Sequence, residues 1–160
     1  ELVEELDPEI RPVGVFVNAP MELVRTLLDD GTLALAQLHG QEDESYIREL
    51  KTYTDKLIIK AFSIKTAEDI EKALQSPADY ILLDQGGGGT GKTFDWSLIP
   101  EIQRPFFLAG GIGASNLGQA IREIHPYAVD LSSSVETEKR KDPMKIRQVV
   151  DIVREIKIIN

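Results

Sequence analysis

The chain has no cysteine among its 160 residues, so it can form neither a disulfide nor a thiolate metal site. No apolar run approaches the ~18 residues that a membrane-spanning helix needs. Basic residues are also too few to offset the acidic ones, and the formal net charge is −9. The one short basic cluster, residues 139–141, lies beside acidic residues and is expected to be a solvated loop. We therefore expect a cytoplasmic protein whose partners include neither nucleic acid nor a membrane.

What the sequence does contain is a repeat of short apolar runs separated by helical patterns. Six runs of strand length begin roughly every 20–26 residues, which is the spacing of a βα unit. Most are apolar almost throughout, as in parallel strands that are buried on both faces. The predicted strands are residues 13–17, 33–38, 57–61, 80–83, 106–109 and 128–131.

Amphipathic patterns between these runs predict helices, and several of them carry start signals. Thr66 and Asp69 form a capping box before the third helix. Ser115 is expected to cap the fourth helix, and Asp142 followed by Pro143 is a strong start for the last one.

Six such units are compatible with two architectures, and both make residues 1–160 a single domain. One is an open, doubly wound parallel sheet, and the other is a (β/α)₈ TIM barrel from which the first two strands are absent. Barrels typically need ~200 residues or more, so length alone favours the open sheet. The residues at the strand ends favour the barrel.

A glycine-rich stretch, residues 86–93, reads GGGGTGKT and fits the nucleotide-binding pattern G-x-x-x-x-G-K-S/T. A nucleotide loop needs a long helix directly after it, because the helix N-terminus holds the phosphates. Here the next helical pattern begins near Ser97, and Pro100 limits it to about one or two turns. Asp130 ends an apolar strand and could bind a metal, so a nucleotide hydrolase stays open as the minor alternative.

The wider segment, residues 82–99, reads LLDQGGGGTGKTFDWSLI. It resembles phosphoribosylanthranilate isomerase of tryptophan biosynthesis, in which an aspartate ends the sixth barrel strand and a mobile loop close to GGTGKTFDW follows. The resemblance continues in collinear order from about residue 10 to residue 153. Its other motifs are VGVFVN, QLHG, FLAGGI and PYAVDLSSSVE, at residues 13–18, 37–40, 107–112 and 126–136.

The resemblance implies an Amadori rearrangement of N-(5′-phosphoribosyl)anthranilate to 1-(2-carboxyphenylamino)-1-deoxyribulose 5-phosphate. An acid must protonate the ring oxygen, and a base must remove the proton from sugar C2. Neither a cofactor nor a metal is required. Asp84 matches the family's general acid, although an isolated aspartate at a strand end more often caps a loop.

The resemblance also implies a phosphate site at the last two strand ends, where barrels commonly bind phosphate through backbone amides and hydroxyls. The family often has glycine where Ser134 stands, so the amide that contacts the phosphate is left open. The residues expected in this site are Gly110, Gly111, Ser132, Ser133 and Ser134.

Four further residues are candidates for substrate contact. His39 ends the QLHG strand, where a structural role is equally compatible with the sequence. Gly89 and Gly91 would let the loop close over the substrate. Lys92 would then neutralise substrate charge, although a solvated lysine fits the pattern as well.

Two residues that the family uses have no counterpart in this chain. The family's general base is a cysteine in a K-I-C-G motif at the end of the first strand, and an arginine at the end of the second strand holds the anthranilate. We therefore expect an N-terminally incomplete barrel, a monomer or a homodimer, whose activity as this chain alone is weak or absent. A truncated barrel that binds phosphate without catalysis is the alternative.

Overall fold

The computed structural model describes residue 3, residues 5–85 and residues 95–159, and for residues 157–159 it describes the backbone alone. Strands and helices alternate over most of these residues. The strands are β1 (Val13–Phe16), β2 (Leu35–Leu38), β3 (Leu57–Ser63), β4 (Tyr80–Asp84), β5 (Phe106–Leu108), β6 (Ala128–Val129), β7 (Glu136–Thr137) and β8 (Arg140–Lys141). The helices are α1 (Met21–Asp29), α2 (Glu44–Tyr53), α3 (Ala67–Leu74), α4 (Leu117–Ile124) and α5 (Pro143–Ile159), with short 3₁₀ turns at Trp96–Leu98 and Ser133–Val135.

The first six strands hydrogen-bond in chain order in one sheet. β1 pairs with β2, β2 with β3, and β5 with β6, and all three pairings are parallel. The register places Val13 beside Leu35, and Leu35 beside Leu57. The six strands predicted from the apolar runs are therefore confirmed, with ends that differ by a few residues.

The chain divides into two compact units, and the first comprises Glu1–Ala61 and Leu74–Ile81. The inner faces of α1 and α2 and the side chains of β2 and β3 share one core in this unit. Each fully buried aliphatic side chain contributes about 1.5–3 kcal/mol relative to an exposed one. The core residues are Phe16, Val24, Leu28, Leu33, Ala36, Leu38, Ile47, Leu50, Ile58 and Ala78.

The second unit comprises Phe62–Ala73 and Leu82–Asn160. In this unit α4 packs against α5, and β5 lies beside β6. The ring centroids of Phe107 and Tyr127, on and just before these two strands, are 6.0 Å apart. Most of the site residues predicted from the sequence fall in this unit.

The predicted helix starts are confirmed in two cases and wrong in one. The Asp69 carboxylate accepts from the Thr66 N–H at 3.0 Å, and Asp142 accepts from the Met144 N–H at 2.9 Å. The expected Ser115 cap is wrong, because Asn116 is the N-cap of α4.

The Asn116 side chain turns back onto the preceding loop instead of capping the helix. Its amide oxygen accepts from the Gly113 N–H at 2.9 Å, and its amide nitrogen donates to the Gly111 carbonyl at 3.0 Å. These two bonds fix the loop between β5 and α4.

The basic cluster at residues 139–141 belongs to a β-hairpin, so the predicted loop is wrong. β7 pairs antiparallel with β8. The two turn residues, Glu138 and Lys139, have φ angles of 51° and 63°, the geometry of a type I′ turn. No Asn-Gly or Asp-Gly pair marks this turn, which explains why the sequence did not reveal it. The cluster is exposed, as expected.

Among the described residues, no helix is both long enough and apolar enough to cross a bilayer.

Candidate active site

Asp84 is the last residue of β4, and its side chain packs against the loop that follows β5. Gly110 in that loop has a φ of +79°, and a Cβ added there would lie 2.5 Å from Asp84 Oδ1 and 2.6 Å from the Gln85 nitrogen. Both the left-handed backbone and the lack of space require glycine. Gly110 thus lets the loop backbone approach the carboxylate directly.

The backbone around Asp84 is held on both sides. The Asp84 carbonyl accepts from the Ile64 N–H at 2.7 Å, and the Leu83 carbonyl accepts from the Ala109 N–H at 2.9 Å. Leu82 and Leu83 are fully buried, whereas Asp84 is half-buried. The carboxylate therefore lies at the boundary between a packed strand and solvent, on a fixed element.

The loops after β5 and β6 lie next to each other. The strands are parallel neighbours, and the Asp130 N–H donates to the Leu108 carbonyl at 2.9 Å. A Cβ added to Gly113 would lie 3.0 Å from the Ser134 Cβ, so the two loops touch. A cleft of about 330 Å³ opens at this contact. Its lining residues are Gly113, Ala114, Ser115, Ser134, Lys145, Gln148 and Val149.

Several backbone amides in these two loops are available to an external acceptor. Within the described part of the chain, the N–H groups of Gly111, Ser133 and Ser134 donate no hydrogen bond. Backbone N–H groups that have no acceptor among the described residues suit an anion, because they supply donors without requiring a basic side chain. The structure thus places Gly110, Gly111 and residues 132–134 at two adjacent strand ends.

Two lysines contact the segment from Ser132 to Glu136, and the sequence predicted neither contact. Lys141 Nζ donates to the carbonyl and the hydroxyl oxygen of Ser132 at 3.1 and 3.2 Å. It also donates to Glu136 Oε1 at 2.7 Å. Lys145 Nζ donates to the Glu136 carbonyl at 2.6 Å. The hairpin brings Lys141 back to Ser132, and without knowledge of that turn the contact could not be predicted.

His39 lies in the first unit, directly after β2. Its N–H donates to the Phe16 carbonyl at 2.7 Å, and its Nδ1 is 3.2 Å from the Gln37 side-chain nitrogen. These two contacts hold the ring and its backbone at the end of the strand. The side chain is half-buried, which leaves part of the ring accessible.

A buried ion pair supports the loop that follows His39. Lys60 Nζ lies 3.0 Å from Glu42 Oε2, and their side chains are only 7% and 2% exposed. Lys60 also donates to the Gly40 carbonyl at 2.7 Å. Lys60 is the only charged residue in the apolar run LIIKA, and a charge in such a run signals a partner.

Backbone N–H groups provide the other hydrogen bonds to the Glu42 carboxylate. Its carboxylate accepts from the N–H groups of Asn18 and Gly40 at 2.7 and 2.9 Å. Burial by itself raises the pKa of Glu42, but the hydrogen bonds from backbone N–H groups and from Lys60 outweigh it and lower the pKa below its ordinary value. Glu42 is therefore charged at neutral pH, and it links the ends of β1 and β2 to β3.

The tip of the glycine-rich loop, with Gly89, Gly91 and Lys92, lies outside the described residues. The residues after it contain only a three-residue 3₁₀ turn, Trp96–Leu98, in which Asp95 accepts from the Ser97 N–H at 2.9 Å. No longer helix occurs between residues 95 and 105. The long helix that a nucleotide-binding loop requires is therefore not found in this stretch, which disfavours the nucleotide hydrolase.

The family model described as N-(5′-phosphoribosyl)anthranilate (PRA) isomerase matches residues 1–152 of the chain. The chain belongs to this family. The N-(5′-phosphoribosyl)anthranilate isomerase of Endomicrobium trichonymphae is 44% identical over 155 residues, which cover 94% of this chain and 76% of that protein. The resemblance inferred from the LLDQ and GKTFDW motifs is confirmed, and the function is that of an isomerase in tryptophan biosynthesis.

Solved structures of PRA isomerases share the fold. One, in complex with reduced 1-(o-carboxyphenylamino)-1-deoxyribulose 5-phosphate, is 34% identical with a TM-score of 0.80, and the match covers 96% of this chain and 76% of that one. Another contains monomers generated from the dimeric isomerase of Thermotoga maritima, with 33% identity, a TM-score of 0.79, and the same coverage of 96% and 76%. The α/β, TIM-barrel-like fold is therefore confirmed.

Proposed function

We propose that this chain carries the general acid and the phosphate site of a PRA isomerase, with Asp84 as the acid. The observation that carries the proposal is the contact of the Asp84 carboxylate with Gly110 at the end of neighbouring β5. A carboxyl group that is fixed at a strand end and half-buried can hold and deliver a proton at one defined place.

The reaction begins with transfer of the Asp84 proton to the ring oxygen of N-(5′-phosphoribosyl)anthranilate. The bond between that oxygen and C1 breaks, and the anthranilate nitrogen lone pair forms a C1=N iminium. Loss of the C2 proton to a base gives an enolamine. The enolamine tautomerises to the 1-deoxyribulose ketone. In the family that the chain resembles, the base is a cysteine, and this chain has none.

The phosphate of the substrate is held by the loops after β5 and β6. Gly110 and Gly111 follow one strand, and the three serines 132–134 follow the other. The N–H groups of Gly111, Ser133 and Ser134 donate no hydrogen bond within the described residues, which supports this assignment. Backbone donors suit a protein of net charge −9, because they bind an anion without a cluster of lysines.

His39 contacts the substrate from the end of β2, where its ring is held beside Gln37. Gly89, Gly91 and Lys92 lie outside the described residues and are proposed as further residues that contact the substrate. The charge of Lys92 would neutralise part of the substrate's negative charge.

We extend the proposal to the architecture: residues 1–160 belong to one (β/α) barrel domain, in which two strands without a counterpart in this chain would carry the base and the anthranilate-binding arginine. A closed barrel of this kind has eight parallel strands, and the described sheet has six. The protein is a monomer or a homodimer, and the dimeric Thermotoga maritima relative is an example of the second state.

A fusion tests this function directly. An N-terminal strand–helix–strand segment that carries the family's K-I-C-G motif is placed before residue 1, and PRA consumption is followed by fluorescence. We expect turnover by the fusion. A folded fusion that binds the reduced product analogue but does not consume PRA would instead favour a phosphate-binding protein without catalysis.

A further inference from the structure

We propose that Lys141 is a positioning residue of the phosphate site, which it serves by fixing Ser132. The inference rests on the phosphate site proposed above and adds a residue to it. Lys141 lies on β8, nine positions after Ser132 in the chain, and the hairpin turn at Glu138 and Lys139 brings it back to that serine.

All three N–H donors of the Lys141 ammonium have acceptors. Two are on Ser132, its carbonyl at 3.1 Å and its hydroxyl oxygen at 3.2 Å, and the third is Glu136 Oε1 at 2.7 Å. An ammonium has three donors and no acceptor, so this set saturates it. Glu136 and Ser132 flank the 3₁₀ turn Ser133–Val135, and Lys141 therefore ties the two ends of that turn together.

These bonds determine what Ser132 can offer to a ligand. Its hydroxyl oxygen accepts from Lys141, which leaves the hydroxyl hydrogen as a donor for another acceptor. Ser132 is also the N-cap of the 3₁₀ turn, but its side chain makes no capping bond. The hydroxyl hydrogen and the N–H groups of Ser133 and Ser134 thus form a consecutive set of donors for phosphate oxygens.

Other contacts anchor the hairpin, so the position of Lys141 does not depend on its own bonds alone. Thr137 Oγ1 donates to Asp142 Oδ2 at 2.6 Å, and the Asp142 N–H donates to the Val135 carbonyl at 2.9 Å. Lys145, on α5, donates from its Nζ to the Glu136 carbonyl. The hairpin is therefore joined to both the 3₁₀ turn and the start of the last helix.

Phosphate binding by the chain itself tests the proposal, and inorganic phosphate is the probe. Two-dimensional NMR follows the amide signals of Ser133 and Ser134 during a phosphate titration of the wild-type chain and of Lys141→Gln, Lys141→Arg and Lys139→Gln. Lys139→Gln is the matched control, because Lys139 is exposed on the same hairpin and its side chain makes no hydrogen bond or ion pair within the described residues.

We expect the wild-type amide signals to shift with phosphate. Lys141→Gln should weaken phosphate binding roughly three- to tenfold, a modest factor because the Lys141 side chain is about half exposed and solvent screens its charge. Lys141→Arg should recover much of the loss, and Lys139→Gln should bind as the wild type does. A purely structural role would lower the unfolding midpoint of Lys141→Gln without a change in phosphate affinity.

Two results would overturn the proposal. If Lys141→Gln binds phosphate as tightly as Lys139→Gln, Lys141 does not position the site, although the phosphate site itself remains. If the Ser133 and Ser134 signals of the wild-type chain do not respond to phosphate, the proposed phosphate site fails together with the role of Lys141.

Discussion

At the scale of single residues, the proposed acid depends on a glycine in a different loop. Asp84 alone is a strand-end aspartate of a common kind. Asp84 differs from such residues because Gly110, which has a φ of +79°, packs against its carboxylate. A Cβ at residue 110 would overlap with the carboxylate oxygen. Replacement of Gly110 should therefore move the acid as well as strain the loop.

Gly110→Ala should reduce the PRA turnover of the fusion by more than about tenfold, since even small misplacement of a reacting group is costly. Gly31 provides the control, because it has the same φ of +79° and no atom within 4 Å of an added Cβ. Gly31→Ala should cost only the left-handed strain, about 1–2 kcal/mol, and leave turnover unchanged. Equal losses of turnover in both variants would contradict the role of Gly110.

The sequence predicts Asp84 as the acid, but it does not predict that Gly110 contacts the Asp84 carboxylate. The aspartate is recognisable because LLDQ, at residues 82–85, is followed after five residues by GKTFDW, at residues 91–96. Gly110 was predicted only as a phosphate residue, since its contact with Asp84 joins two loops far apart in sequence. The contact between Lys141 and Ser132 was missed for the same reason.

At the scale of elements, the Lys60–Glu42 pair joins β3 to the loops that follow β1 and β2. Both side chains are almost fully buried, and every oxygen of Glu42 has a donor. A satisfied buried pair contributes little net stability, but removal of one partner leaves a buried charge without compensation. We therefore expect a single substitution in the pair to lower the stability of the protein, and the double substitution to lower it much less.

Lys60→Met should lower the free energy of unfolding by about 3–5 kcal/mol, because Glu42 would remain buried without its cation. The double variant Lys60→Met/Glu42→Leu should recover most of this loss. Urea denaturation at pH 7 measures both. A double variant no more stable than Lys60→Met would show that the pair stabilises the strand ends beyond the mutual compensation of its charges.

The pH dependence of stability should also report on Glu42. Its pKa is lowered on folding, so the unfolded state takes up the proton first as the pH falls. The stabilisation is complete above the unfolded pKa, about 4.3, and is lost as the pH falls through the lower folded value. Glu42→Gln should therefore flatten the acid limb of a stability curve measured from pH 7 to 3.

At the scale of the whole molecule, the strands were predictable and the hairpin was not. Parallel strands buried on both faces leave continuous apolar runs in the sequence, and these marked β1 to β6 directly. The hairpin of β7 and β8 has two-residue strands and a turn without glycine, so no pattern indicated it. The architecture was decided by the motifs at the strand ends, because chain length favoured an open sheet.

The 160-residue chain alone should be a weak isomerase or an inactive one. It has no cysteine to remove the C2 proton, and a general base contributes about 10²–10⁴ to a rate. PRA consumption by the chain and by the fusion, at equal concentrations, measures the difference. Equal rates would mean that a residue of this chain is the base.

Asp84 is the proposed proton donor, and the turnover of the fusion with Asp84→Asn tests this role directly. The amide is close in size to the carboxyl group but cannot donate the same proton. We predict that PRA turnover falls by at least about 10²-fold while the reduced product analogue still binds. If the Asp84→Asn fusion consumes PRA at the rate of the unsubstituted fusion, Asp84 is not the acid.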